Sequence, residues 1–122
     1  MQICHWSFSR VLDGSKFYSN CKFTPSSASL ILGISSQSIV QGPTSVVNPR
    51  ITYSVVDKRI FGDTIYGSRT VNGDNISNRG FPISIGSGND RSNLQMRFEN
   101  KVDSPISQSP YIRWSGSGNL EY

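Results

Sequence analysis

The stretch Asn93-Leu94-Gln95-Met96-Arg97-Phe98-Glu99 (NLQMRFE) alternates polar and apolar side chains without interruption. A two-residue period belongs to a strand with one face in a core, so Leu94, Met96 and Phe98 are expected to face inward. Asn93, Gln95, Arg97 and Glu99 are then expected to face water. Arg50 to Val56 (RITYSVV) repeats the pattern, with Ile51, Tyr53 and Val55 on one side and Thr52 and Ser54 on the other. Further strands are expected at Ile3–Ser9, Lys16–Phe23, Ala28–Ile34, Thr64–Val71, Phe81–Ile85 and Tyr111–Trp114, with short pieces at Ser38–Gln41 and Ser45–Val47. Turn residues close each piece, among them Thr24-Pro25, Gly42-Pro43, Asn48-Pro49 and Asp57-Lys58.

Composition points the same way. Twenty Ile and Val residues stand against five Leu and a single alanine, Ala28, which suits strands and starves helices. Thirteen aromatic residues are enough to build a core in a chain of 122 residues, and no apolar run approaches the ~18 residues of a membrane span. The expectation is all-β: an antiparallel β-sandwich or jelly-roll-like barrel of seven to nine short strands, forming one domain over residues 1–122.

The two cysteines, Cys4 and Cys21, are expected to form one disulfide. Suppose Ile3–Ser9 and Lys16–Phe23 form a hairpin closed by Val11-Leu12-Asp13-Gly14. The register then sets Cys4 opposite Cys21, within the ~5.5 Å Cα separation that a bridge needs. A two-residue Asp13-Gly14 turn would set Cys4 opposite Phe23 instead. Asn72-Gly73 is the strongest two-residue hairpin signal, followed by an exposed polar loop over Asn72–Arg79. Gly86-Ser87-Gly88-Asn89-Asp90 and Ser115-Gly116-Ser117-Gly118 read as loops.

A disulfide implies an oxidising compartment, so the expected location is secreted or extracellular. No apolar signal segment follows Met1. Met1 is accordingly read as an addition that leaves Gln2 near the mature terminus. Asn75-Ile76-Ser77 is an N-glycosylation acceptor and fits export.

Chemistry is sparse. His5 is the only imidazole; Asp57, Asp63, Asp74, Asp90 and Asp103 sit singly in turns; Glu99 and Glu121 are the only glutamates. No Gly-x-Ser-x-Gly elbow, metal-ligand spacing or P-loop is present, so no catalytic residue, metal or cofactor is assigned and the chain is read as non-enzymatic. The net charge of +4 comes from basic residues scattered singly, Lys58-Arg59 being the only adjacent pair. That distribution argues against nucleic acid as a partner.

What remains is recognition by surface. Tyr, Arg, Asn and Ser in exposed loops are the composition of loop-based binding sites. The candidates are Tyr66 and Arg69, then Asn75 and Arg79, then Tyr111, Arg113 and Trp114, with the competing reading that Trp6, Trp114 and most tyrosines belong to the core. Arg79 to Asn100 resembles the last strands of the ToxA-type secreted fungal effectors, which are also small β-sandwiches; Pro82 stands near the place of that family's second cysteine. The expected function is a binding module, effector- or adhesin-like and of the virulence kind, that recognises a host or partner protein or a glycan. The runner-up is a virion or pilus subunit that self-associates through strand edges.

Overall fold

Where the sequence alternates, the chain is extended, and over 50–57 and 94–101 it is buried on most of both faces, Ser54 included. A computed structural model describes residues 2–42, 46–86, 92–103 and 112–122. Among the described residues there are eight strands: β1 (Gln2–Leu12), β2 (Lys16–Phe23), β3 (Ser29–Gln41), β4 (Arg50–Asp57), β5 (Thr64–Asn72), β6 (Ile76–Ser84), β7 (Leu94–Lys101) and β8 (Arg113–Glu121). Among the described residues there is no helix, and hence none long and apolar enough to cross a membrane.

Two antiparallel sheets hold four strands each, in the orders β1-β8-β3-β6 and β2-β7-β4-β5. These orders have a simple origin. The turn between β4 and β5 folds the chain into one long ribbon, in which β4 pairs β5, β3 pairs β6, β2 pairs β7 and β1 pairs β8. Rolled up, the ribbon sends alternate pairs to opposite sheets, joined by β3–β8 and β4–β7 pairing. This is the jelly-roll arrangement of the β-sandwich. The inner faces share one core, with Leu30, Leu32, Ile34, Trp114 and Leu120 from the first sheet meeting Ile51, Tyr53, Val55, Met96 and Phe98 from the second.

The rolled topology corrects the local hairpins. The β1 and β2 strands do not pair with each other but lie at matching edges of opposite sheets. The Cys4–Cys21 disulfide exists, with Cα atoms 5.9 Å apart, and it staples the two sheets rather than two neighbouring strands. Asn72-Gly73 is likewise no hairpin, because β5 and β6 lie in different sheets, and the expected loop over Asn72–Arg79 is strand β6 from Ile76 onward. The piece expected at Ser38–Gln41 belongs to β3, which runs thirteen residues without a break. Of the piece expected at Ser45–Val47, residue 45 lies outside the described residues, and Val46 and Val47 are not strand.

Ser115-Gly116-Ser117-Gly118 is not a loop but the middle of β8, hydrogen-bonded between β1 and β3. Trp114, Gly116, Gly118 and Leu120 face inward in strict alternation with Ser115, Ser117 and Asn119. The glycines are required by what covers them. A Cβ on Gly118 would lie 2.1 Å from the Gly33 carbonyl oxygen and 2.5 Å from the Trp6 ring; one on Gly116 would lie 2.7 Å from the Phe8 ring. Bare backbone in β8 thus makes the space for the β1 aromatics. Trp6 packs 5.0 Å from Phe98 and 5.3 Å from Tyr53, and Phe17 stacks 4.9 Å from Phe98.

One buried polar set ties the sheets together inside the core. Gln37, fully buried, donates from Nε2 to the Val71 and Gly73 carbonyls and accepts at Oε1 from the Tyr53 hydroxyl. Burial pushes the Tyr53 phenol well above its ordinary value. Every group in this set is partnered, which is the condition under which buried polar atoms are tolerated.

Candidate functional site

The sandwich has two lateral seams: β1 with β2 on one side, and β6 with β5 on the other. The β5–β6 seam gathers part of the expected binding set. Arg69 on β5 lies opposite inward-facing Tyr53, and Arg79 on β6 lies opposite inward-facing Ile34, so both side chains lean into the gap between the sheets. Each strand is the edge of its sheet, and both arginines reach solvent. Between them sits Phe81, two residues beyond Arg79 and packed against the core. The guanidinium carbons lie 5.2 Å (Arg69) and 5.6 Å (Arg79) from the Phe81 ring centroid, within the range where a ring quadrupole attracts a cation.

Neither guanidinium has an acidic partner among the described residues, whose ion pairs involve Arg50, Arg59 and Arg97. Two cations without an acidic partner among the described residues therefore flank one apolar ring, where both can reach an anion from solvent. Arg79 also borders a shallow depression of about 300 Å³ on the first sheet's outer face, lined with Ile31, Gly33, Asn78, Asn119 and Glu121. Gly67, two residues before Arg69, brings β5 against the end of β6, because a Cβ there would lie 2.4 Å from the Ser84 carbonyl oxygen.

The other expected residues fare differently. Tyr66 is half-buried and packs on the core from the same strand as Arg69. Asn75 is exposed in the turn before β6, with its Oδ1 accepting from the Ser38 hydroxyl at 3.5 Å. Arg113 is half-buried at the start of β8, far along the chain from the arginine pair and paired with Leu12 and Gln41. Trp114 is not a surface anchor. Its side chain is fully buried, and its indole Nε1–H donates to Asp13 Oδ1 at 3.0 Å, a core role that a large ring with one polar atom fills well. Tyr111 lies outside the described residues, as does the loop at 87–90.

Two further features escaped the alternation argument. Gln95 and Arg97, expected to face water, are 7 % and 8 % exposed. Gln95 donates from Nε2 to the Ser19 carbonyl on β2 at 3.2 Å, and the turn between β4 and β5 folds back onto the second sheet's outer face and delivers Asp63 to Arg97 at 3.0 Å. The Tyr18 hydroxyl donates to the same carboxylate at 2.5 Å, and Arg97 reaches Glu99 at 2.6 Å. The Tyr18 bond first, then Arg97 and the Arg59 backbone N–H, hold the Asp63 carboxyl below the usual carboxylate range. The same bond raises the Tyr18 phenol. At the tip of this pinned turn, Ile60 and Phe61 are essentially fully exposed. The sequence signal was present, two large apolar residues standing between Lys58-Arg59 and Gly62-Asp63, but period alone gives it no meaning.

On the β1–β2 side, a cleft of about 400 Å³ is lined with Trp6, Phe17, Tyr18 and Phe98, and with His5, Ser19 and Asn20 at polar positions. His5 is exposed, its Nδ1 2.9 Å from Asn119 Oδ1. Among the described residues no cluster of His, Cys, Asp and Glu could hold a metal ion. Comparison with known protein families, with characterised proteins and with solved structures returns no match.

Proposed function

We propose that this protein is a non-catalytic extracellular binding module that recognises an anionic glycan, carboxylated or sulfated, through the β5–β6 seam. The observation that carries this is the pair of guanidinium groups, Arg69 and Arg79, over the Phe81 ring with no acidic partner among the described residues. Guanidinium forks suit carboxylate and sulfate oxygens, and the ring between them offers an apolar surface to the C–H face of a sugar. The disulfide supports an oxidising, extracellular setting.

Capsid proteins share the jelly-roll strand order with lectins, so the strand order alone also suits the virion-subunit reading. The edges favour the glycan reading. The β1 and β2 edges are cross-linked to each other, and β6 carries Pro82 and Arg79, which oppose the addition of a further strand.

Elution from a sulfated-glycan column and calorimetric titration with sulfated and uronic oligosaccharides test the proposal. Arg69→Ala with Arg79→Ala should weaken binding tenfold or more, on the order of one lost charged hydrogen bond per arginine. Lys16→Ala with Lys22→Ala removes the same charge from β2, on the opposite side, and should leave binding nearly unchanged. Equal loss in both double variants would mean diffuse attraction to a basic protein, and the seam would have no special role.

A further inference from the structure

Glycine in the middle of a strand weakens it unless something requires bare backbone, and this protein uses it in two ways. Gly116 and Gly118 make room for the β1 aromatics, and Gly67 lets β5 come against the end of β6. Gly33 on β3 and Gly80 on β6 have no such cause. They stand opposite each other in the register, neither has a left-handed backbone, and an added Cβ would meet nothing nearer than 3.6 Å and 3.8 Å respectively. Both belong to the outer face of the first sheet, because Leu32 and Ile34 on either side of Gly33 point into the core. Together they floor the shallow depression of about 300 Å³ that Arg79 borders, with the exposed Ile31 beside them. Bare backbone at such a floor lets a flat ligand approach closely.

The groups around the floor carry both signs. Asn119, paired with Gly33, holds its Oδ1 2.9 Å from His5 Nδ1, which leaves its amide nitrogen to donate to a ligand. Arg79 on β6 and Glu121 on β8 lie on strands either side of β3, two strand spacings or roughly 10 Å apart. Among the described residues neither has an ion-pair partner, nor do they pair with each other. The depression thus runs from the cationic Arg69–Phe81–Arg79 cluster to a carboxylate about the length of a disaccharide away.

We infer that the glycan taken by the seam alternates anionic and uncharged sugar residues. The charged residue engages Arg69 and Arg79, and the uncharged pyranose next to it lies on the Gly33–Gly80 floor with its hydroxyls donating to the Glu121 carboxylate. This rests on the anion-seam reading and adds to it a required spacing of charge. A carboxylate accepts hydrogen bonds from hydroxyls but repels a second sulfate or carboxylate. A chain charged on every ring therefore meets attraction at one end of the depression and repulsion at the other.

Calorimetric titration at one fixed ionic strength tests this with two probes: a hyaluronan hexasaccharide, charged on alternate rings, and a heparin hexasaccharide, charged on every ring. Wild type should bind the hyaluronan fragment about fivefold more tightly, in spite of its lower charge. Glu121→Gln should erase that preference by tightening heparin about fivefold, the effect of removing one close like charge in water. Gly80→Val raises the floor at an exposed strand position that suits a β-branched residue. It should weaken the hyaluronan fragment about tenfold and leave heparin nearly unchanged. Unfolding midpoints of both variants should stay close to wild type. Tighter binding of heparin by wild type overturns the inference, as does a preference that Glu121→Gln or Gly80→Val leaves unmoved. If Arg69→Ala with Arg79→Ala then still abolishes heparin binding, the seam reading stands and only the charge spacing falls. Binding of neither fragment overturns both.

Discussion

The two lateral seams close the same sandwich by opposite means. At β1–β2 the closure is covalent and aromatic: Cys4–Cys21 joins the sheets, and Trp6, Phe8, Phe17 and Phe98 fill the space behind it. At β5–β6 the strands approach through Gly67, and the remaining gap is covered by Phe81 and by two arginines that have no acidic partner among the described residues. The first seam holds the fold together. The second leaves two guanidinium groups in water, as the proposed anion site requires.

If that division is right, breaking the stapled seam should produce the largest loss of stability with no loss of ligand binding. The double variant Cys4→Ser, Cys21→Ser opens a link across seventeen positions, which is worth about 3 kcal/mol on the chain-entropy estimate. Denaturant unfolding should show this as a lower midpoint, while the folded fraction should retain wild-type affinity for the sulfated oligosaccharide. A variant that folds but loses binding would mean that the two seams are coupled.

A slightly smaller effect is expected at the floor of the same seam. Gly118→Ala places a methyl group against the Gly33 carbonyl and the Trp6 ring, and backbone cannot move aside as a flexible side chain can. Overpacking of this kind costs about 2 to 3 kcal/mol. Gly33→Ala is the control in the same sheet: its Cβ would meet nothing nearer than the Asn119 carbonyl at 3.6 Å, and it should cost well under half as much. Equal midpoints for the two variants would remove the claim that β8 is glycine-rich to make room for β1.

These glycines also mark what the sequence could and could not disclose. Period two found β4 and β7 closely, because a core-facing row of apolar side chains is written locally in their order, although both strands are covered on their other face as well. It could not place β8, since Ser-Gly-Ser-Gly carries no apolar signal, and the aromatics that need its bare backbone lie over a hundred positions earlier. Nor could it assign strands to sheets. Asp13-Gly14 and Asn72-Gly73 have the chemistry of hairpins, but the connections they sit in cross from one sheet to the other, and only the rolled topology distinguishes the two uses. The Cys4–Cys21 pairing followed from a register that the molecule does not use. The conclusion survives because edge strands of facing sheets approach at a seam as closely as paired strands do. In the candidate site, Arg69 and Arg79 stood out as residues, but Phe81, which brings them together, had no distinguishing pattern.

The pinned turn offers a smaller perturbation with a pH signature. Asp63 is held below the ordinary carboxylate value, about 3.9, chiefly by the Tyr18 hydroxyl and then by Arg97. A group depressed on folding stabilises the protein above its unfolded value, and that contribution is lost as the pH falls through the folded one. Wild type should therefore lose stability below about pH 4, releasing the turn from Arg97. Asp63→Asn should cost about 2 kcal/mol at neutral pH, as expected for charged hydrogen bonds, and should flatten the acid limb. Some slope should remain, because Asp103, lowered by the Asn48 amide and Arg50, still titrates. An unchanged acid limb in Asp63→Asn would show that the turn is not held through this carboxylate.

The smallest stability change is expected where the functional claim is strongest. Arg69→Ala and Arg79→Ala each remove an exposed cation–π contact, worth about 0.5–1 kcal/mol before the relief of repulsion between the two guanidinium groups is counted. The first loss is largely offset by that relief. The second, made in a seam already lacking one cation, forfeits the same contact but relieves no further repulsion, so the two should be non-additive in stability. In binding both cations act on one anion, and either single variant should already lose most of the affinity. A double-mutant cycle read in both quantities separates the roles. If the arginines only covered Phe81, stability and affinity would fall together. If they exist to be shared with a ligand, unfolding midpoints should scarcely move while the oligosaccharide is no longer held.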